Sequence, residues 1–365
     1  MNPVTRRELQ ERFRTLRSPI LLSVWVLAAG ALTFLAYVVA QSAAENQLGS
    51  FGGAGLSSVF ASGAMGRFML HTILIGLLTA MVFVVPGQAA VAIVGEKERQ
   101  TLPLLQASQL SAWRIVLGKL ASALAYIMLL LVATTPLLVI PVLLGGVTIV
   151  NVISGIAMVA AAAVMIGAVS IWVSARARSV QGAVLGSYVW TVAIVFGTLA
   201  LLVAEVFLLA PDNLGPTRFE NGFPRDDGRE LYAAHLNPYM GLVDASSNPI
   251  DFRSELVTSP YVPFRLVLAK RQGFAAGAVT DYTGVIQFGG GGFEDDVFFE
   301  RELSAVPGFV TDGGSRVASP TRIPVWPTTL AFQLGLAALA LTSAARRVRV
   351  PGKRRRVRLR RVHAS

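Results

Sequence analysis

Six apolar runs of roughly 20 residues or more recur along this 365-residue chain, and about 20 helical residues at 1.5 Å each cross a hydrocarbon core of about 30 Å. They occupy residues 20–40, 68–94, 113–144, 152–173, 180–210 and 323–345. Only 15% of the residues are charged, against about a quarter in a soluble domain. The expected fold class is therefore an all-α polytopic membrane protein with six transmembrane helices. The first run is longer than a signal-peptide core, and no small-residue cleavage pattern clearly follows it.

The formal charge of +11 reads as a nucleic-acid signal until its distribution is followed. About 21 of the 32 basic residues lie in four segments: the N-terminal stretch, residues 95–119, the turn holding Arg176 and Arg178, and the tail after residue 345. With six spans, all four fall on one face. Residues 211–322 lie on the other and are net acidic. Positive residues stay on the cytoplasmic side, so both termini and the 95–119 stretch are expected in the cytoplasm of a cell-membrane protein, in a bacterial inner or cell membrane. Residues 211–322 are expected outside.

Three flanking segments complete the layout around the 19–210 and 323–345 membrane regions. Residues 1–18 include "TRRELQERFRTLRS", in which Thr5 and Glu8 fit a capping box and Leu9, Phe13 and Leu16 share a face. This predicts an amphipathic helix at the membrane interface. The tail, residues 346–365, holds ten basic residues without interleaved aromatics. It is read as a topological anchor and a contact for anionic lipids, not as a nucleic-acid site. Residues 211–322 carry turn signals and alternating stretches, which predict a short helix near 229–246, strands after Tyr261, and an α+β character. Glu294, Asp295 and Asp296 read as a solvated acidic turn.

Enzymatic signatures are lacking. The chain has no G-x-x-x-x-G-K-[ST], H-E-x-x-H or G-x-S-x-G, so no Walker-type ATP hydrolysis is expected of it. It has no cysteine, and His71, His235 and His363 are isolated. No catalytic, cofactor-binding or metal residues are expected. Charged residues within the spans are few, which argues against an ion-coupled carrier or a charge-lined channel.

What remains is "VGEKERQTLPLLQASQLSAWRIVLGK", residues 94–119. Its opening mixes charges, its middle is weakly amphipathic, and it returns directly to the membrane. A short helix tied to two spans fits a groove on a partner and moves the spans when it moves. The stretch resembles the cytoplasmic loop of the ABC-2 (type-2 ABC exporter) permease family, with its E-x-E-x-G-T-L-E-x-L-L pattern, a Ser-Pro-Leu-Ser-like turn and a Gly-Lys re-entry. Glu96, Glu98, Thr101, Leu102, Leu104, Leu105, Ser108, Leu110, Ser111, Gly118 and Lys119 match. Gln100, Pro103 and Gln109 stand where the family usually has Gly, Glu and Pro. "HLNPYMGLVDA", from His235, resembles the family's Leu-Asn-Pro segment between spans five and six.

The resemblance implies the membrane subunit of an ATP-driven exporter. A second copy or a homologous permease would face it, and a separate cytoplasmic ABC ATPase dimer, holding the ATP, would seat on the 95–112 coupling loop. It assigns Glu96, Glu98 and Arg99 to the ATPase surface, Leu102, Leu104 and Leu105 to its groove, and Thr101 to a cap. Lys119 is expected at the lipid headgroups. In span two, Pro86, Gly87 and Gln88 suggest a kink on the pathway or a packing site, and the apolar spans suggest a hydrophobic or amphipathic substrate. A non-transporting sensor or scaffold driven by the same ATPase, and an unrelated channel or carrier, remain open.

The topology is directly testable in this cysteine-free background. Asp295→Cys should react with a membrane-impermeant thiol reagent in intact cells. Reaction only after the cells are opened would put residues 211–322 on the wrong side.

Overall fold

The computed structural model describes residues 17–50, 56–101, 111–209, 219–220, 223–224, 231–247 and 325–349. Their helices are α1 (Arg17–Ser50), α2 (Leu56–Glu98), α3 (Ala112–Thr134), α4 (Val139–Leu144), α5 (Ile149–Arg176), α6 (Val180–Ala204), α7 (Pro238–Ser246) and α8 (Trp326–Val348). Six segments are long and apolar enough to cross a membrane: Leu22–Ser42, Met65–Glu98, Ala112–Leu144, Ile149–Arg176, Val180–Leu208 and Trp326–Val348. Each overlaps one apolar run of the sequence. The amphipathic helix expected at residues 1–18 lies almost wholly outside the described residues, as does the basic tail beyond residue 349.

Helix ends follow local chemistry. Ser111, Thr148 and Ser179 sit in extended backbone and accept the amide of the third residue on, Arg114, Asn151 and Gly182, which starts α3, α5 and α6. The third span is not one regular helix. Proline cannot donate a backbone bond, and around Pro136 the chain tightens into a 3₁₀ turn, Thr135–Leu138, before α4 resumes through Pro141. Gly145 and Gly146 then reverse the chain at φ of 89° and 71°. A Cβ on Gly146 would stand 2.4 Å from the Gly63 carbonyl oxygen, so glycine is required there on both counts.

The bundle is built around α5. Its run "GIAMVAAAAVMIGAVS" is small-residue rich, and Gly155, Ala162, Ala163, Gly167 and Ala168 are buried. Helices without a hydrophobic driving force in lipid gain from such close backbone approach. Leu70, Leu74 and Met81 of α2, Ile127 of α3, Met165 and Ile166 of α5, and Ala344 of α8 share one core. α1 is peripheral: Leu27 and Phe34 are 72% and 70% exposed, as suits a lipid-facing surface. It is held by Trp25, whose Nε1 donates to the Leu130 carbonyl and to Thr134 Oγ1, each at 3.1 Å.

The segment between the fifth and sixth spans returns into the bundle. A 3₁₀ turn, Tyr232–His235, leads into α7, in line with the helix expected near 229–246. Met240, Leu242 and Val243 of α7 are fully buried. Asn237 donates to the Val195 carbonyl and to Thr198 Oγ1, both at 3.0 Å, and accepts the Tyr239 amide at 2.8 Å. Tyr239 shares a hydrogen bond with Thr79 of α2, and Ser154 of α5 donates to the Ala245 carbonyl. Residues 231–247 thus pack into one end of the bundle, against α2, α5 and α6. The reason is polar satisfaction: every polar tip named here finds a partner inside the bundle.

Apart from that, the described residues of the segment form one ladder of two residues per strand, β1 (Phe219–Glu220) against β2 (Phe223–Pro224). That does not amount to the expected α+β character. The strands expected after Tyr261 and the acidic turn at 294–296 lie outside the described residues.

Asn237 both caps α7 and pins it to α6. Asn237→Ala should lower stability by roughly 2 kcal/mol, from a lost cap and lost buried bonds. Thermal denaturation in detergent should show this as a reduced midpoint. An unchanged midpoint would mean that the bonds at Asn237 do not hold residues 231–247 in the bundle.

Candidate functional site

The end of α2 is where the membrane meets the matching loop, and its last turn is closed by backbone geometry. Gln100 adopts φ of 59°. Its amide donates to the Lys97 carbonyl at 3.1 Å, and the Thr101 amide donates to the Glu96 carbonyl at 3.0 Å. This is the Schellman pattern, a left-handed residue closing a helix C-terminus. Gln100 stands where the resemblance expects Gly, and the conformation explains that preference. A side chain there costs roughly 1–2 kcal/mol.

Three consecutive residues on this turn reach three different helices. Glu96 Oε1 pairs with Lys119 Nζ of α3 at 2.9 Å, and its other carboxylate oxygen accepts the Thr101 hydroxyl. Lys97 Nζ donates to the Ala175 carbonyl at 2.6 Å and the Ala177 carbonyl at 3.3 Å. Those groups belong to the C-terminal end of α5, where carbonyls are unpaired and the helix dipole favours a cation. Glu98 Oε1 accepts the Val180 amide at 2.7 Å. Val180 opens α6, where free N–H groups and the dipole favour an anion. One turn deeper, Ser174 Oγ of α5 accepts the amides of Ile93 and Val94 at 3.1 and 3.0 Å. Ala90 and Val94 of α2 bury against Ala183 of α6. Together these contacts join the ends of α2, α3, α5 and α6, the basic end of the bundle.

The residues singled out from sequence divide. Glu96 and Glu98 are engaged with the chain's own helices, and Thr101 closes α2. Arg99 is exposed on the last turn. Leu102, Leu104, Leu105 and Ser108 lie outside the described residues. Lys119 does not reach the headgroups as expected. Its side chain is 7% exposed, because α3 packs against α2 and the Glu96 carboxylate draws the ammonium inward. Pro86 does not interrupt α2, which runs on to Glu98. Tyr188 of α6 donates to the Phe83 carbonyl at 2.8 Å, one turn before the proline. A Cβ on Gly87 would stand 3.1 Å from the Tyr188 hydroxyl. These positions form a close α2–α6 contact.

Sequence reasoning did not single out Lys97, Ser174, Val180 or Tyr188. A cation between two acids at a helix end was the visible signal, but its meaning depended on which helix ends lie beside it. Among the described residues no group of acidic or histidine side chains is arranged to hold a metal ion. An apolar cavity of ≈ 110 Å³ opens between α1, α2 and α3, lined by Trp25, Leu32, Ile73, Gly76 and Thr134. It is small against the roughly 300–1,000 Å³ of sites for sizeable ligands.

The family described as ABC-2 family transporter protein matches residues 3–244. The match takes in the first five spans, the whole α2–α3 loop and most of α7. Comparison with curated proteins gives no match.

The Glu96–Lys119 pair should be asymmetric. Lys119 is the more buried partner, so Glu96→Ala takes the counter-charge from an ammonium inside the bundle, whereas Lys119→Met leaves a carboxylate that water reaches. Removing one partner of a buried pair costs about 3–5 kcal/mol, so Glu96→Ala should approach that range and Lys119→Met should cost clearly less. Thermal denaturation of both variants in detergent checks the order. Equal losses, or the reverse order, would contradict it.

Proposed function

The chain belongs to the ABC-2 transporter family, and from that premise we propose that it is the membrane subunit of an ATP-driven exporter, energised by a separate ABC ATPase dimer. The carrying observation is the joint at the end of α2: Glu96, Lys97 and Glu98 bind α3, α5 and α6 in turn. A loop that pushes on this joint pushes on four helices at once. With no phosphate-binding loop in the chain, the push must originate in a partner that binds ATP. Residues 102–111 are the contact with that partner, with Arg99, Leu102, Leu104 and Leu105 toward its surface and groove. Glu96 and Glu98 act chiefly as the internal linkage that receives the motion.

In this reading the basic end faces the cytoplasm, where the ATPase resides, and α7 lies toward the outer end of the pathway. Two copies of the chain, or this chain and a homologous permease, face each other so that closure of the ATPase dimer moves both joints together. The substrate is hydrophobic or amphipathic, since the spans offer few charged groups. A sensing role with the same ATPase shares every feature except flux.

The experiment separates contact from linkage. Immunoprecipitation from native membranes should recover a protein carrying a phosphate-binding loop. Leu105→Asp should abolish that recovery, since each buried leucine contributes about 1.5–3 kcal/mol. Glu98→Gln should keep the partner bound but lower the transport obtained per ATP hydrolysed in proteoliposomes. Recovery of the ATPase by Leu105→Asp at the level of the unmodified chain would remove the loop from the interface. Undiminished coupling in Glu98→Gln would remove the joint from the mechanism.

A further inference from the structure

At the basic end of α5 and α8, positive charge is concentrated with no answering carboxylate among the described residues. Arg176, the last residue of α5, folds its guanidinium over Trp172, 4.2 Å from the ring centroid. It donates to the Trp172 carbonyl at 3.3 Å and to Ser343 Oγ of α8 at 2.7 Å. Arg347 lies one turn beyond Ser343 on α8, on the helix face that Arg176 reaches. Arg178 and Arg346 are exposed nearby in sequence. The two carboxylates of the α2 terminus are committed elsewhere, Glu96 to Lys119 and Glu98 to the Val180 amide. Like charges gathered in this way repel unless an anion sits among them.

The surroundings indicate which anion. Trp172 meets Trp190 of α6 edge to face, with centroids 5.3 Å apart and rings at 88°. Trp172 is one turn inside the end of α5, the depth at which tryptophan marks the membrane interface. Trp190 is 48% exposed and about 15 Å along α6 from Val180 at 1.5 Å per residue, the depth of acyl chains. The cations and the two rings therefore run from headgroup level into the hydrocarbon. A guanidinium has five N–H donors, and among the described residues Arg176 uses two of them, so donors remain for phosphate oxygens.

We propose that Arg176 and Arg347, with the Trp172–Trp190 shelf beneath them, form a binding site for the phosphodiester headgroup of an anionic phospholipid in the leaflet at the basic end. The headgroup bridges α5 and α8 beside the carbonyls that Lys97 caps. The bound lipid thus adds a counter-anion to the edge of the four-helix joint.

The test uses the full chain in phosphatidylcholine vesicles containing brominated phosphatidylglycerol or, at the same fraction, brominated phosphatidylcholine. Bromine quenches tryptophan fluorescence on contact. The phosphatidylglycerol should quench more strongly, and Trp172→Phe with Trp190→Phe should remove the difference. Arg176→Gln and Arg347→Gln, with helix content checked by circular dichroism, should each lower the preference roughly fivefold, the effect of about one basic residue near a charged membrane. Arg114→Gln, a change outside the proposed site on α3, should leave it intact. Equal quenching by the two lipids would overturn the site, as would an equal loss in Arg114→Gln, which marks general surface attraction. Loss of the preference in excess inorganic phosphate at constant ionic strength would show a free-anion site and overturn the lipid assignment.

Discussion

A helix end leaves backbone groups without partners, and in a membrane bundle those ends must be satisfied where hydrocarbon gives way to water. The α2 terminus meets this requirement for its neighbours as well as for itself. Lys97 supplies donors to the end of α5, and Glu98 supplies an acceptor to the start of α6. Each charge sits at the pole of the helix dipole that favours it. The turn between α5 and α6 is thereby fastened to α2 at both of its ends, and Glu96 adds α3 through a nearly buried ion pair. Apolar packing in lipid is non-directional, so these short polar contacts are what fix the relative register of four helices at one end.

The opposite end of the bundle applies the same rule. α7 is too short to span anything, yet it packs among the spans because its polar side chains are answered there by Val195, Thr198 and Thr79. Asp244 accepts the amides of Val325 and Trp326 at 2.7 and 2.9 Å, so α7 also starts α8. Glu205, near the end of the fifth span, accepts the amides of Tyr232 and Ala233, both at 2.8 Å. Its position in an apolar run is explained by those two donors and needs no transported ion. The two ends are thus built alike, with side chains from one segment completing the helix ends of another.

The six spans were legible because hydropathy over 20 residues is a local property that lipid enforces directly. The 3₁₀ break at Pro136 has an equally local cause, since a missing N–H acts within its own helix. Partnerships were harder to read. Lys119 reads as an interfacial lysine in sequence, and only the approach of α3 to α2 turns it toward Glu96. The resemblance assigns Glu98 to the ATPase surface, and the Val180 amide that it accepts is 82 residues away. Asn237 and Tyr239 occur in a polar segment whose composition suggests solvent, and their burial follows from acceptors on α2 and α6. The matching loop was recognisable by its residues, but the division of labour between linkage and contact depends on which helix ends are neighbours.

The central claim is that the basic ends of α2, α3, α5 and α6 move as one body when the loop is driven. The chain has no cysteine, so spin labels can be introduced at Arg99 and Arg178, exposed positions next to Glu98 and to the start of α6. Their separation is measured by electron–electron double resonance in the proposed complex with an ABC ATPase, with and without ATP trapped. An unchanged separation, together with a changed separation between Arg99 and the facing permease subunit of that complex, is the predicted result. A nucleotide-dependent shift between Arg99 and Arg178 within one chain would show that α2 and α6 part at this end, and would contradict a rigid joint.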